Sequence, residues 1–116
     1  MEILIVKYCM KGEFMSIDDG VYYNNLLSIY GKLLTKKHMA VADAYFGFDL
    51  SLGEIAEING ISRQSVADAL SATKHKLVDY EKKLGFLSLK TSLKCAIAEK
   101  DEKKAIEKIK IILGEV

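Results

Sequence analysis

The segment 50–70, LSLGEIAEINGISRQSVADAL, constrains the fold more than any other part of this chain. Leu52, Ile55 and Ala56 fall on one face of a short helix, Asn59-Gly60 interrupts it, and Ile61, Val66 and Leu70 carry an apolar stripe onward at helical spacing. Both helix starts are marked. Ser51 followed by Glu54 is a capping box, and the Ser62 hydroxyl is placed to accept a backbone N–H at the start of the second helix. Asn and Gly tolerate the left-handed backbone of a tight interhelix turn, so the second helix crosses the first steeply and offers its N-terminal turn to a groove. The pattern is a helix-turn-helix.

Half of the 116 residues are hydrophobic, Pro and Trp are absent, and apolar residues recur at helical spacing rather than alternating, which predicts an all-α protein. A chain of this length can bury a core without disulfides or metal. The apolar run Ile3 to Val6 is far shorter than a membrane span or a signal-peptide core, and there is no lipidation motif. A cytoplasmic location and no membrane role are expected. Cys9 and Cys95 lie far apart with no metal-ligand spacing, so free thiols are expected, and no metal or cofactor.

Met1 to Phe14 has no clean period and no cap and reads as an appendage. Met15 precedes a plausible helix start, Ser16-Ile17-Asp18-Asp19, and Lys11-Gly12-Glu13 has the purine-rich coding of a ribosome-binding site. Met15 is therefore expected to be the native start and residues 15–85 the helix-turn-helix domain. From Asp18 a helix places Tyr22, Leu26, Leu27, Tyr30, Leu33 and Leu34 on one stripe. Thr35 caps the next helix, whose buried side is Met39, Ala42 and Phe46 and which closes at Gly47 and Asp49. The aromatic residues at this spacing, among them Tyr23, Tyr45 and Phe48, read as core rather than as a base-stacking surface.

After Ser62 nothing interrupts the pattern until Gly85, which predicts a recognition helix of about 22 residues, roughly 33 Å long. Val66, Leu70, Thr73, Leu77, Tyr80 and Leu84 form its apolar face. Residues 86–116 form a helical tail. One helix bears Leu89, Leu93 and Ile97; the other, capped by Asp101, bears Ala105, Ile106, Ile109, Ile112 and Leu113 and ends at Gly114. Two arrangements would cover the surplus apolar surface: folding back within one subunit, or a homodimer.

With Val66 and Leu70 turned inward, the outer side of the second helix carries Arg63, Gln64, Ala67, Asp68 and Ser71, then Lys74 and His75. Arg63, the chain's one arginine, suits a guanine edge or a phosphate, Gln64 an adenine edge and Ser65 a phosphate. Asp68 repels phosphate but can accept from cytosine. Arg63, Gln64, Ser65, Asp68 and Lys74 are the candidate nucleic-acid-binding residues. The formal charge is only +1, and residues 50–85 carry five basic and five acidic side chains, so weak sequence-independent binding is expected. No catalytic constellation is present. His38 and His75 have no partner at motif spacing, and Glu54 and Glu57 serve capping and solvation, so neither an enzyme nor a small-molecule substrate is expected.

Three motifs carry a resemblance. The run from Leu34 to Leu70 resembles the DNA-binding C-terminal domain of bacterial sigma factors. The chain resembles still more the YlxM family of helix-turn-helix proteins, whose pattern includes DLSLxEIAE, SRQxV and LxxYExKL. These stand here as Asp49 to Glu57, Ser62 to Val66 and Leu77 to Leu84, and the likeness spans about Asp18 to Leu84. It implies a bacterial cytosolic protein encoded beside the GTPases of the signal recognition particle, with a regulatory part in that pathway. It also places Arg63, Gln64 and Ser65 at base- and phosphate-facing positions, while Asp68 and Ala69 depart from the basic residues of sigma domains. The function expected is that of a nucleic-acid-binding regulatory protein, with DNA a candidate target and the choice between DNA and RNA left open by the sequence. The alternative keeps the fold and docks it on a signal-recognition-particle protein or its RNA.

Overall fold

The boundaries written into the helix-turn-helix segment are realised bond by bond. In a computed structural model, which describes residues 19–114, the Ser51 hydroxyl accepts the Glu54 N–H at 3.1 Å and the Glu54 carboxylate accepts the Ser51 N–H at 3.1 Å. This reciprocal cap opens helix α3, Leu52–Asn59. Its end is a Schellman turn: Gly60 sits at φ 63°, its N–H donates to Glu57 O at 3.3 Å, and the Ile61 N–H donates to Ala56 O at 3.1 Å. Ser62 then accepts the Ser65 N–H at 3.0 Å and starts helix α4, Arg63–Leu84, whose 22 residues match the length read from the sequence. Replacing Ser51 by alanine is expected to cost about 1 kcal/mol, measured as a lower urea midpoint with an unchanged m value.

Preceding these are α1 (Asp19–Tyr30), a 3-10 turn (Gly31–Leu33), α2 (Lys36–Ala42) and a π-helical turn (Asp43–Gly47). Following them are α5 (Phe86–Ala98) and α6 (Glu102–Leu113). The fold is all-α, with no strand among the described residues. Residues 19–84 form one unit and α5–α6 belong to another. The assignments of 1–14 as an appendage and of Met15 as the start lie outside the described residues, as does Cys9.

Within residues 19–84, α1, α2 and α3 all pack on α4. Val41, Ile55, Ala56, Val66, Ala69 and Leu70 are buried together, with Leu52 and Ile61 packed against them. Farther along α4, Thr73 and Leu77 are fully buried, and so are Leu26 and Tyr30 of α1. The Thr73 hydroxyl donates to Ala69 O at 2.7 Å, which removes the cost of burying it. Tyr30 donates to Glu81 Oε1 at 2.6 Å, tying α1 to the distal half of α4.

Two local departures from the sequence reading have geometric causes. The α1 stripe ends at Tyr30: the 3-10 turn winds more tightly than an α-helix, and Leu33 swings into solvent with 56% of its surface exposed. The second helix does not end cleanly at Gly47 but widens into the π turn, where Phe48 N–H donates to Asp43 O at 3.1 Å. The extra residue re-aims the aromatic side chains: Tyr45 and Phe46 are half-buried and Phe48 is exposed, a correction to its reading as core. Asp49 follows with φ 56°, the one non-glycine residue in the left-handed region among those described.

In the second unit α5 and α6 pack on each other. Asp101 caps α6 by accepting the Lys103 N–H at 3.0 Å, and Gly114 closes it at φ 77°. Leu89, Leu93, Ile106, Ile109 and Leu113 all keep exposed surface, and Ile97 is 82% exposed. Cys95, a half-buried residue, is disulfide-bonded, which corrects the expectation of a free thiol. A Glu99–Lys108 ion pair at 3.0 Å closes the hairpin. The hydrogen bond from Lys108, then that from the Asp101 N–H, holds the Glu99 carboxyl below the usual carboxylate range. The pair thus stabilises the hairpin at neutral pH and is lost as pH falls through that range. Glu99→Gln is expected to lower the thermal midpoint at neutral pH, with the difference from the parent shrinking on acidification.

Candidate nucleic-acid interface

The first turn of α4 is presented to solvent because the residues that flank it in space point the other way. Val66, Ala69 and Leu70 turn into the core, leaving Arg63, Gln64, Ser65 and Asp68 exposed. The structure brings two of these together: Gln64 Nε2 donates to Asp68 Oδ1 at 2.9 Å. Ser65 is engaged locally, its Oγ accepting from the Ser62 hydroxyl at 2.9 Å. Arg63 opens the helix with an exposed side chain, and Ser71 and His75 continue the outer side.

Lys74 stands apart from this group. It lies about three turns beyond Arg63 and returns to the same flank of the helix, where its ammonium is 5.3 Å from the Tyr23 ring centroid and 5.7 Å from that of Phe46. The two rings stack at 5.3 Å, and Tyr45 meets Phe46 edge-on at 5.1 Å. The cation is held by ring faces rather than free in water, an arrangement worth on the order of 0.5–2 kcal/mol. Burial, then the Glu81 carboxylate and Tyr23, push the neighbouring Tyr22 phenol up, so Tyr22 stays uncharged at neutral pH.

A pair that sequence spacing could not reveal lies on the opposite flank. Lys76 Nζ is 3.4 Å from His38 Nδ1, although 38 positions separate the two residues. Thr35 positions the histidine, since its Oγ1 accepts the His38 N–H at 3.2 Å and fixes the first turn of α2. Partial burial, then Lys76 and Lys37, lower the His38 pKa from its ordinary value. Its ring is thus neutral at neutral pH, with Nδ1 accepting from the lysine and Nε2 carrying the proton. No group of His, Cys, Asp and Glu comes together to hold a metal ion among the described residues, and none of their helices is long and apolar enough to cross a membrane.

Comparison with known proteins gives a consistent picture. A family model described as "UPF0122: Putative helix-turn-helix protein, YlxM / p13 like" matches residues 17–113. A UPF0122 protein of Fusobacterium nucleatum is 38% identical over 98 residues, covering 82% of this chain and 95% of its own length. One of Caldanaerobacter subterraneus is 41% identical over 93 residues, covering 80% of this chain and 72% of the relative. One of Desulforamulus reducens is 46% identical over 65 residues, 56% of each chain. No solved structure matches significantly.

Proposed function

The chain belongs to the UPF0122 family of YlxM/p13-like helix-turn-helix proteins, and from that premise we propose that it is a cytoplasmic nucleic-acid-binding regulatory protein rather than a catalyst. The observation that carries this reading is the exposed Arg63-Gln64-Ser65 turn at the head of a 22-residue helix. A helix held by a reciprocal cap and a Schellman turn behind it can present that turn rigidly to a major groove. Arg63 and Gln64 supply base-edge donors and Ser65 a phosphate donor; Lys74, resting on the Tyr23 and Phe46 rings, adds a phosphate contact on Arg63's flank only through the N–H donors that the rings leave open, and Asp68 limits binding elsewhere. DNA is the proposed target. The setting in the signal-recognition-particle pathway comes from the resemblance of the three motifs, not from the geometry.

A second reading is favoured by one contact: Gln64 already donates to Asp68, so the reading turn is partly self-satisfied and electrically neutral. In that reading the same surface docks on a signal-recognition-particle protein or its RNA. The exposed apolar residues of α5 and α6 offer the face for a homodimer in either reading. Fluorescence anisotropy of labelled duplex and of the particle's RNA at two salt concentrations separates the readings. We expect duplex binding with a shallow salt slope of about −2 to −3, reflecting two or three phosphates. Binding of neither nucleic acid would overturn the proposal in favour of protein docking.

A further inference from the structure

We propose that His38, Lys37 and Lys76 form a phosphate-binding site on the flank of α4 opposite Lys74, one that takes up a proton when it is occupied. The inference rests on the nucleic-acid reading above for its ligand, a phosphodiester of the bound strand, but the site is defined by its own geometry.

A lysine of α4 meets an imidazole of α2 here, and a second lysine adjoins that imidazole in sequence. Lys76 reaches His38 across 38 positions of chain, from α4 to α2, and Lys37 adjoins it in sequence. Burial acts first on the ring, and the charged groups that act with it are cations, Lys76 on α4 and Lys37 on α2. Asp79, the next acidic residue on α4, is engaged by Lys83 at 3.0 Å, and Asp43 on the π turn is exposed. No carboxylate acts on the ring among the described residues, so burial and the two lysines keep the histidine unprotonated, and the cluster offers its donors, two ammonium groups and the Nε2–H, to an anion.

A phosphate brought to this site reverses the balance. Its negative charge compensates both lysines and favours the imidazolium, so occupancy raises the pKa of His38 and binding draws a proton from solution. Because the unoccupied ring titrates lower than the occupied one, affinity rises as pH falls from the occupied midpoint to the unoccupied one and levels off below it. The site thus makes binding stronger in mildly acidic conditions, in the range where histidine titrates.

The test uses the full chain and NMR titration of its two histidines, His38 and His75. The His38 midpoint is measured in inorganic phosphate and in chloride at matched ionic strength, then with a labelled duplex whose affinity is followed in parallel. We expect phosphate to raise the midpoint above its chloride value, and duplex affinity to rise up to about tenfold per pH unit between the free and bound midpoints. Lys76→Gln, a change at an exposed position, is expected to abolish the phosphate-dependent difference, and His38→Gln to make duplex affinity flat with pH. Equal His38 midpoints in phosphate, chloride and duplex would overturn the site, as would an undiminished response in Lys76→Gln. A response to phosphate with no duplex binding would support the site while overturning the nucleic-acid reading. In Arg63→Ala, an intact response to inorganic phosphate is expected, because that residue serves the base-reading turn alone.

Discussion

Leu77→Ala is expected to destabilise the helix-turn-helix unit by about 2–5 kcal/mol, the cost of a cavity at a site that cannot collapse. Leu77 has no exposed surface and lies in the part of α4 beyond the helix-turn-helix core, on the same face as Val66, Leu70 and Thr73. Its neighbours on that face are a fully buried threonine already committed to a backbone carbonyl and a tyrosine whose ring lies 5.9 Å from that of Tyr30. None of these can relax into the vacated volume without breaking a hydrogen bond or a ring contact. Domains of this size are stable by only about 5–15 kcal/mol, so the loss is large. Leu84, two stripe positions further on, is 50% exposed, and Leu84→Ala is expected to cost less than half as much. Urea unfolding of the two variants against the parent measures both; equal losses would show that the distal half of α4 is not packed as described.

The same contrast explains which features could be read from the sequence. The Ser51–Glu54 box, the turn at Gly60 and the Ser62 and Asp101 caps are each set by residues within five positions of one another, where hydrogen-bond geometry follows from spacing, and the length of α4 follows from an uninterrupted pattern between Ser62 and Gly85. The all-α class followed from apolar spacing in the same way. What escaped was set by local backbone irregularity or by distant partners. Leu33 leaves the α1 stripe because the backbone tightens there, and the π turn at Asp43–Gly47 inserts a residue that no periodic pattern announces. In the site, the outward position of Arg63 and Gln64 was legible from the burial of Val66 and Leu70. The capture of Lys74 by Tyr23 and Phe46, and of His38 by Lys76, was not, since each joins elements far apart in the chain. Cys95 shows the same limit: two cysteines without motif spacing say nothing about what the fold brings beside them.

Arg63→Ala is expected to weaken binding at the preferred duplex by about 1–3 kcal/mol, the loss of a bidentate base contact, and to leave binding to unrelated duplexes nearly unchanged. The selectivity of the effect matters more than its size. Arg63 is the only guanidinium in the chain and the only cation in the first two turns of α4, so no neighbour can substitute for it. A phosphate contact alone would instead weaken all sequences alike and lower the salt slope by about one. Asp68→Ala is expected to act in the opposite direction. Its carboxylate repels the backbone and occupies the Gln64 amide at 2.9 Å, so its removal both lowers repulsion and frees a base-reading donor. Affinity should rise for every duplex, and the double variant Arg63→Ala/Asp68→Ala should keep the general gain without recovering the preferred site. Anisotropy titrations of the three variants on preferred and scrambled duplexes decide the matter: if Arg63→Ala binds both as well as the parent does, the exposed turn does not read bases, and the helix-turn-helix is a scaffold for protein contact.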